Sequence, residues 1–394
     1  MILMIVGGIG AVAGFFVDQH QFGFSWLLAF MFFLSLCLGG LGLTILHHLF
    51  DASWSVPVRR IYEHLAFLLP VMAVLFLPIA YLAPKMYPWM QLVKEHTPDH
   101  SIKEKFPLFT IPSFYIVAMI CFAVWAFLSY KLRYWSLKQD QTGSVECTRK
   151  MRRFSAVGVF LFAVTLTLAA IMWMKALQHE WFSTMYGVWY FAGSMWITIF
   201  TVYSITALLK RQGPLREVAT EKTFYYIGSL MFAFTVFYAY ITFFQYFIIW
   251  NANMPEETFW YLARENGTWF QIGILIIFGH FFIPFLTLLR IDIKLSWIMI
   301  PLGVWAWLMH FVDISFNIMP VKHPQGFVVH WMDLACLAFI GGVLATVFLK
   351  YLNAHPIIPQ KDPRFAEAMD IYVGDQYVEA ATARGIDPKH GGNK

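Results

Sequence analysis

Two ionisable side chains sit inside a stretch otherwise apolar enough to cross a bilayer. In KLSWIMIPLGVWAWLMHFVDISFNIMP, Lys294 to Pro320, His310 and Asp313 lie three residues apart, with Asn317 one turn beyond Asp313. On a helix the three share a face. A carboxyl and an imidazole in hydrocarbon are costly, so function is the default hypothesis for them. The segment therefore reads as one around which much of the chain packs. Glu63 and His64 form a second pair, about two turns into an apolar segment that also holds Pro70 and Pro78. His280 stands in IIFGHFFIP, one turn before Pro284. His47, His48 and Asp51 leave another apolar run, and Lys175, His330 and Asp333 lie near the ends of others.

Imidazole titrates near neutrality, which suits it to proton transfer. Counting 1.5 Å per residue puts Glu63 and His64 toward one face of the membrane, His280 near the middle, and His310 with Asp313 toward the other face. These five residues are a candidate proton path. Transfer needs donor and acceptor within hydrogen-bond reach or one water apart, so hydroxyls such as Tyr203, Thr206 and Tyr238 would have to bridge gaps. Each group has a plainer role to set beside this. His47, His48 and Asp51 suit an interfacial helix end. His280 could bond backbone freed by Pro284. His310 and Asp313 could share a structural hydrogen bond, and Lys175 could snorkel outward. Paired histidines also ligate haem, but His64, His280 and His310 fall at different depths with no matched pair. A quinone headgroup beside His310 or Asp333 is the remaining alternative. No metal site is expected.

The background is that of a membrane protein. Of 394 residues 59% are hydrophobic and 13% charged, with mean hydropathy +0.61. That leaves too little charge for a soluble surface of this size. Aromatic residues make up 19% of the chain, which suits lipid-facing helices and interfacial belts. A net charge of +5 carries no nucleic-acid signature. Cys37, Cys121, Cys147 and Cys336 form no CxxC pair, which argues against a cysteine-ligated zinc or iron–sulfur site and for buried thiols. Met1 to Val17 lacks a basic leader and a small-residue cleavage site, and reads as a first helix.

Ten apolar segments emerge, at about 1–17, 23–49, 57–83, 111–132, 153–177, 185–209, 222–250, 267–289, 294–319 and 330–352. Connections on the N-terminal side carry fifteen Lys and Arg against seven on the other, so both termini are expected to be cytoplasmic. The longest outer loop, Lys85 to Pro107, reads as solvated, or as a docking surface, from its mixed charges. Beyond His355 a polar tail is expected, with amphipathic turns over 365–385 and a disordered end. A weak repeat relates 23–49 and 57–83 to 185–209 and 222–250 at an offset near 160, with Trp26 matching Trp189. At an offset near 141, 153–177 matches 294–319 and Met172 falls opposite Asp313. The expected fold is all-α and integral to the membrane, about ten transmembrane helices in two four-helix bundles plus two flanking helices. Its parts are 1–22 (first helix and turn), 23–177 (first bundle), 178–319 (second bundle), 320–354 (tenth helix) and 355–394 (cytoplasmic tail).

The stretch IMWMKALQHEWFSTMYGVWYFAGSM, with Trp173, Met174, Leu177 and Trp181 through Gly187, resembles the membrane subunits of alternative complex III, the bacterial quinol:cytochrome c oxidoreductases. These fall within the wider polysulfide-reductase (NrfD-like) membrane subunit family. The likeness runs over essentially the whole chain, to the HPIIP step at His355, and its short form is similar to the F-type subunit. The resemblance implies a multi-pass subunit of the bacterial inner membrane, with no redox cofactor of its own, offering a proton path and structural support. Its implied partners are a homologous quinol-binding subunit, other membrane subunits, iron–sulfur and multihaem c-type cytochrome subunits carrying the clusters and haems, and a terminal oxidase. Menaquinol or another quinol would be the reductant. Where the family commonly has Asp before the Trp, this chain has Met172. That lowers the expectation of a proton role there and raises the weight of Asp313. A pure scaffold, and a subunit with its own quinol site, are the rival readings. A stand-alone transporter is disfavoured, because no pair of broken helices with glycine-rich centres is evident.

Overall fold

The structure, a computed structural model, describes residues 2–97, 99–369 and 371. Among these the chain is helical with no strand. In order the main helices are α1 (Ile2–Val17), α2 (Gln19–Phe50), α3 (Ser53–Leu75, 3-10 helical over Ser53–Val58), α4 (Leu77–Met86), α5 (Ile111–Thr142), α6 (Val145–Trp173), α7 (Tyr186–Gln212), α8 (Glu221–Ala252), α9 (Thr268–Leu288), α10 (Met299–Val321) and α11 (Trp331–Ala354). Among the described residues, eight are long and apolar enough to cross a membrane, nine if the bent pair α3–α4 counts as one span. This is the architecture of a multi-pass membrane protein.

Local chemistry sets where the helices begin, end and bend. Asp18 caps α2 by accepting from the His20 and Gln21 amides, and Thr110, Ser144 and Thr220 cap α5, α6 and α8 through their hydroxyls. Gly143, at φ 66°, closes α5 and opens the tight hairpin into α6. The 52° bend between α3 and α4 falls where Pro78 cannot donate to the preceding turn. In α9, a π-helical turn over Ile277–Phe282 precedes Pro284. Such turns recur at functional sites.

The helix at the centre is α2, not the 294–320 segment. The most apolar window of α2 is wholly buried, against about half of that of α10. It touches α1, α3, α4, α5, α6, α7, α10 and α11. Mean hydropathy reads the same toward lipid as toward protein, so it could not rank the two. Small residues could. A Cβ on Gly39 would collide with Ser194 O and Thr198 Oγ1 of α7, and one on Gly40 would meet Ala66 N and Tyr62 O of α3 at 2.9 Å. Close backbone approach through small residues is how helices associate without a hydrophobic drive. Elsewhere α5 pairs with α6, and α7 with α8 and α10; α9 lies against α8 and α10, and α1 against α11.

Matching positions make matching contacts. Trp26 Nε1 donates to Leu75 O at 2.9 Å, and Trp189 Nε1 to Tyr238 Oη at 3.3 Å. Both pairs span 49 residues, and the second lies 163 residues beyond the first.

The connections gather at two ends. At one, Asp362 and Asp140 pair with Arg59 and Arg60 of α3, and Asp51 pairs with Arg152 and Arg364. At the other, Lys322 approaches Asp18 at 3.7 Å and Trp269 Nε1 donates to His323 O at 2.8 Å. The Lys85–Pro107 loop at this second end is folded rather than simply solvated. It forms short helices at Pro88–Lys94 and His100–Glu104, and buries Trp89, Met90 and Ile102. Its charged stretch hid those anchors. Of the tail, Phe365–Ala368 is a short helix; most of the expected amphipathic turns and the expected disordered end lie outside the described residues.

Candidate functional site

Three of the five proposed path residues converge. His280 from α9, with His310 and Asp313 from α10, place one ligating atom each within 4.8 Å of one another, and all three are buried. The shared face read from the sequence is real: His310, Asp313 and Asn317 all point inward. Asn317 Nδ2 donates to Asp313 O at 2.9 Å, and Tyr186 Oη to Asn317 Oδ1 at 3.3 Å. Arg264, stacked 3.4 Å over Trp260, donates to Phe316 O and Asn317 O and so caps the end of α10 that carries Asp313.

Each member of the cluster is fixed by packing. The His280 ring lies between Trp196, 3.8 Å away and 21° from parallel, and Tyr238, at 3.9 Å and 24°. Tyr238 also hydrogen-bonds Asp313. Both His280 nitrogens are buried without a hydrogen-bond partner. Nearby, Trp305 Nε1 donates to Gly279 O at 2.8 Å. His310 Nε2 lies 2.8 Å from Ser35 Oγ, and Ser35 Oγ lies 2.6 Å from Phe32 O. Ser35 has one proton, which the Phe32 carbonyl takes. His310 Nε2 must then carry a hydrogen to make its bond, leaving the Nδ1 lone pair free. That Nδ1 and Asp313 Oδ2 are also buried and unpartnered.

Glu63 and His64 belong to a different cluster. Glu63 accepts from Arg60 Nη1 at 2.9 Å and Ser136 Oγ at 2.7 Å, and forms an ion pair with Arg59, whose Nε lies 3.1 Å away. Arg133 Nη1 approaches His64 Nδ1 at 2.5 Å. His47 Nδ1 bonds Ser55 Oγ at 2.6 Å, while its Nε2 meets Arg364. His47 and His48, in the last turn of α2, are buried, and Arg364 of the chain segment beyond α11 reaches His47. Ser35 and His47, the α2 contacts of the two clusters, are twelve residues apart, about 18 Å along the helix. Between them α2 packs backbone to backbone on α3 and α7 at Gly39 and Gly40.

Asp333 serves as a cap. With His330 it forms a capping box at the start of α11, accepting from His330 N at 2.8 Å, and Ser25 bonds the same carboxyl. Ser25 and Ser35 stand ten residues apart on α2, about 15 Å, so His310 and Asp333 are not brought to one site.

Lys175 does not snorkel outward. It is buried, with Nζ 5.7 Å from the Phe182 ring. Burial, and then the charge of Lys105, bring its ammonium down to about 7. Unfolded Lys titrates near 10.4. Between those values the unfolded chain holds more protons, so stability rises with pH across that window, by up to about 1.4 kcal/mol per pH unit. Lys175→Met is expected to flatten this rise in detergent melts at pH 7, 8 and 9. A slope equal to wild type would show that the group titrates normally.

Sequence reasoning missed Ser35 and Trp196, which fix the two imidazoles. Ser35 left a usable signal, being one of few hydroxyls in α2. Trp196 left none, since aromatic residues fill the neighbouring helices. Searches of protein-family models and of curated proteins returned no match to the chain.

Proposed function

We propose that the chain is the F-type membrane subunit of a bacterial quinol-oxidising complex of the alternative complex III kind, and that its second bundle carries protons. The observation that carries the proton role is the convergence of His280, His310 and Asp313, all buried, with one ligating atom of each within 4.8 Å of the others, and each bearing an unpartnered nitrogen or oxygen. A relay needs groups that take and release a proton within reach of one another or of one water. Asp313 Oδ2 and His310 Nδ1 are such atoms, and His280 extends the chain of acceptors into α9. Tyr238 and Ser35 hold the geometry.

In this reading ten membrane helices form two four-helix bundles, with α1 and α11 flanking. The Trp26–Leu75 and Trp189–Tyr238 pairs support the repeat. The first bundle has lost the acid, with buried Met172 beside Trp173. Trp173 stacks on Phe122 at 5.5 Å and packs on Phe76 at 4.7 Å, so rings fill that core. The positive-inside bias supports placing the Asp51 end in the cytoplasm, which puts Asp313 toward the outer face. Glu63 and His64, held by arginines, then serve the cytoplasmic anchor rather than the relay. Iron–sulfur clusters and c-type haems belong to partner chains, as does quinol oxidation, on a homologous membrane subunit.

Gentle solubilisation and purification by a tag on this chain tests the assignment. Multihaem c-type chains should co-purify and give a reduced-haem spectrum, while the separated subunit carries none. A chain that purifies alone from its native membrane would contradict the assignment.

A further inference from the structure

We propose that His280, His310 and Asp313 form a binding site for one divalent transition-metal ion. The donor set is two imidazoles and a carboxylate, which suits Zn²⁺ and its neighbours rather than Mg²⁺ or Ca²⁺. The three ligating atoms lie within 4.8 Å of one another in the buried interior. Both nitrogens of His280, Nδ1 of His310 and Oδ2 of Asp313 have no hydrogen-bond partner. Buried polar atoms are normally satisfied, and unsatisfied ones on all three neighbouring side chains mark a place for a ligand.

Two further features belong to metal sites. A ligating histidine usually commits its other nitrogen to an outer partner, which fixes tautomer and ring orientation. Ser35 Oγ does this for His310 at 2.8 Å, leaving Nδ1 as the lone-pair nitrogen. Trp196 and Tyr238 clamp the faces of His280, so its nitrogens can turn only in the plane between them. Metal–ligand bonds of about 2.0–2.2 Å set tetrahedral ligand atoms about 3.4 Å apart. The side chains therefore draw in by about 1 Å, a rotamer adjustment. An ion with two neutral imidazoles and one carboxylate leaves a single positive charge, half of what the bare ion carries. The inference goes beyond the relay, since ion and proton compete for the same lone pairs and binding does not require that protons pass.

Co²⁺ titration of the purified full-length protein tests it, with bound metal counted by atomic spectroscopy and folding followed by gel-filtration elution. Expected are one Co²⁺ per chain, an intense tetrahedral ligand-field band, and displacement of that band by Zn²⁺. His310→Ala and the shape-preserving His280→Gln and Asp313→Asn should abolish the band. Ser35→Ala should weaken affinity about 10–100-fold. His179→Ala, in the separate Asp99–His179–Glu180 group at the other candidate cluster, should leave it unchanged. Absence of a stoichiometric band, its survival in well-folded His280→Gln and Asp313→Asn, or its loss in His179→Ala would overturn the proposal.

Discussion

Asp362→Ala is expected to lower the stability of the protein by about 3–5 kcal/mol, the usual effect of removing one partner from a buried ion pair. Asp362 is buried and accepts from both Arg59 and Arg364. Arg364 in turn holds Asp51, the left-handed cap that ends α2. Removing the carboxylate leaves two buried guanidiniums each short of one anionic partner, Arg59 with Glu63 alone and Arg364 with Asp51 alone, and loosens the chain segment that reaches His47. Burial by itself would raise the Asp362 carboxyl, but Arg59 and then Arg364 overcome it and hold the group well below the usual carboxylate range. A carboxylate held low contributes stability that is present above its unfolded value, near 3.9, and lost as pH falls toward the folded value. Wild type should therefore lose stability in acid, and Asp362→Ala should lose less, having already lost the contribution at neutral pH. Thermal melts in detergent at pH 7 and pH 2.5 measure both effects. A neutral-pH melting temperature equal to wild type would contradict the account of this end.

The ten apolar segments were legible because a spanning helix must satisfy its backbone internally and expose apolar side chains, and both requirements write themselves into hydropathy. Every segment has a helix in the structure, and the bend in the third falls at its prolines. What hydropathy cannot encode is which apolar face meets lipid. That is why α10 looked central and α2 did not, although Gly39 and Gly40 marked the close approaches. In the site, the i, i+3 spacing of His310 and Asp313 carried over directly into a shared buried face. Joining His280 to them required the packing of α9 on α10, and neither spacing nor composition reports that. Glu63 was misleading for a related reason: Arg59 and Arg60, its neighbours in the sequence, read as charges at a helix end, whereas both are buried against it. The tail looked merely polar because the acid and base that anchor it, Asp362 and Arg364, resemble any solvated pair until their partners on α2 and α3 are known.

The second large effect is expected from Asp313→Asn. The amide keeps the size of the side chain and can still meet Tyr238, so the clamp on His280 and the packing of α10 should persist. What it removes is the group that takes up and gives back a proton. A positioned acid or base commonly contributes about 10²–10⁴-fold to a proton-transfer step, so transfer through the cluster should fall by at least about 100-fold. Electron transfer in the proposed partner chains does not touch this residue, so quinol oxidation should continue at a rate near that of wild type once the membrane potential is collapsed with an ionophore. Assembly of the complex should also be unchanged. The direct measurement is the number of protons translocated per electron by the complex reconstituted in sealed vesicles, wild type against Asp313→Asn. A relay through His280, His310 and Asp313 gives a ratio that falls in the variant while ionophore-released quinol oxidation holds; an unchanged ratio in a fully assembled variant contradicts it.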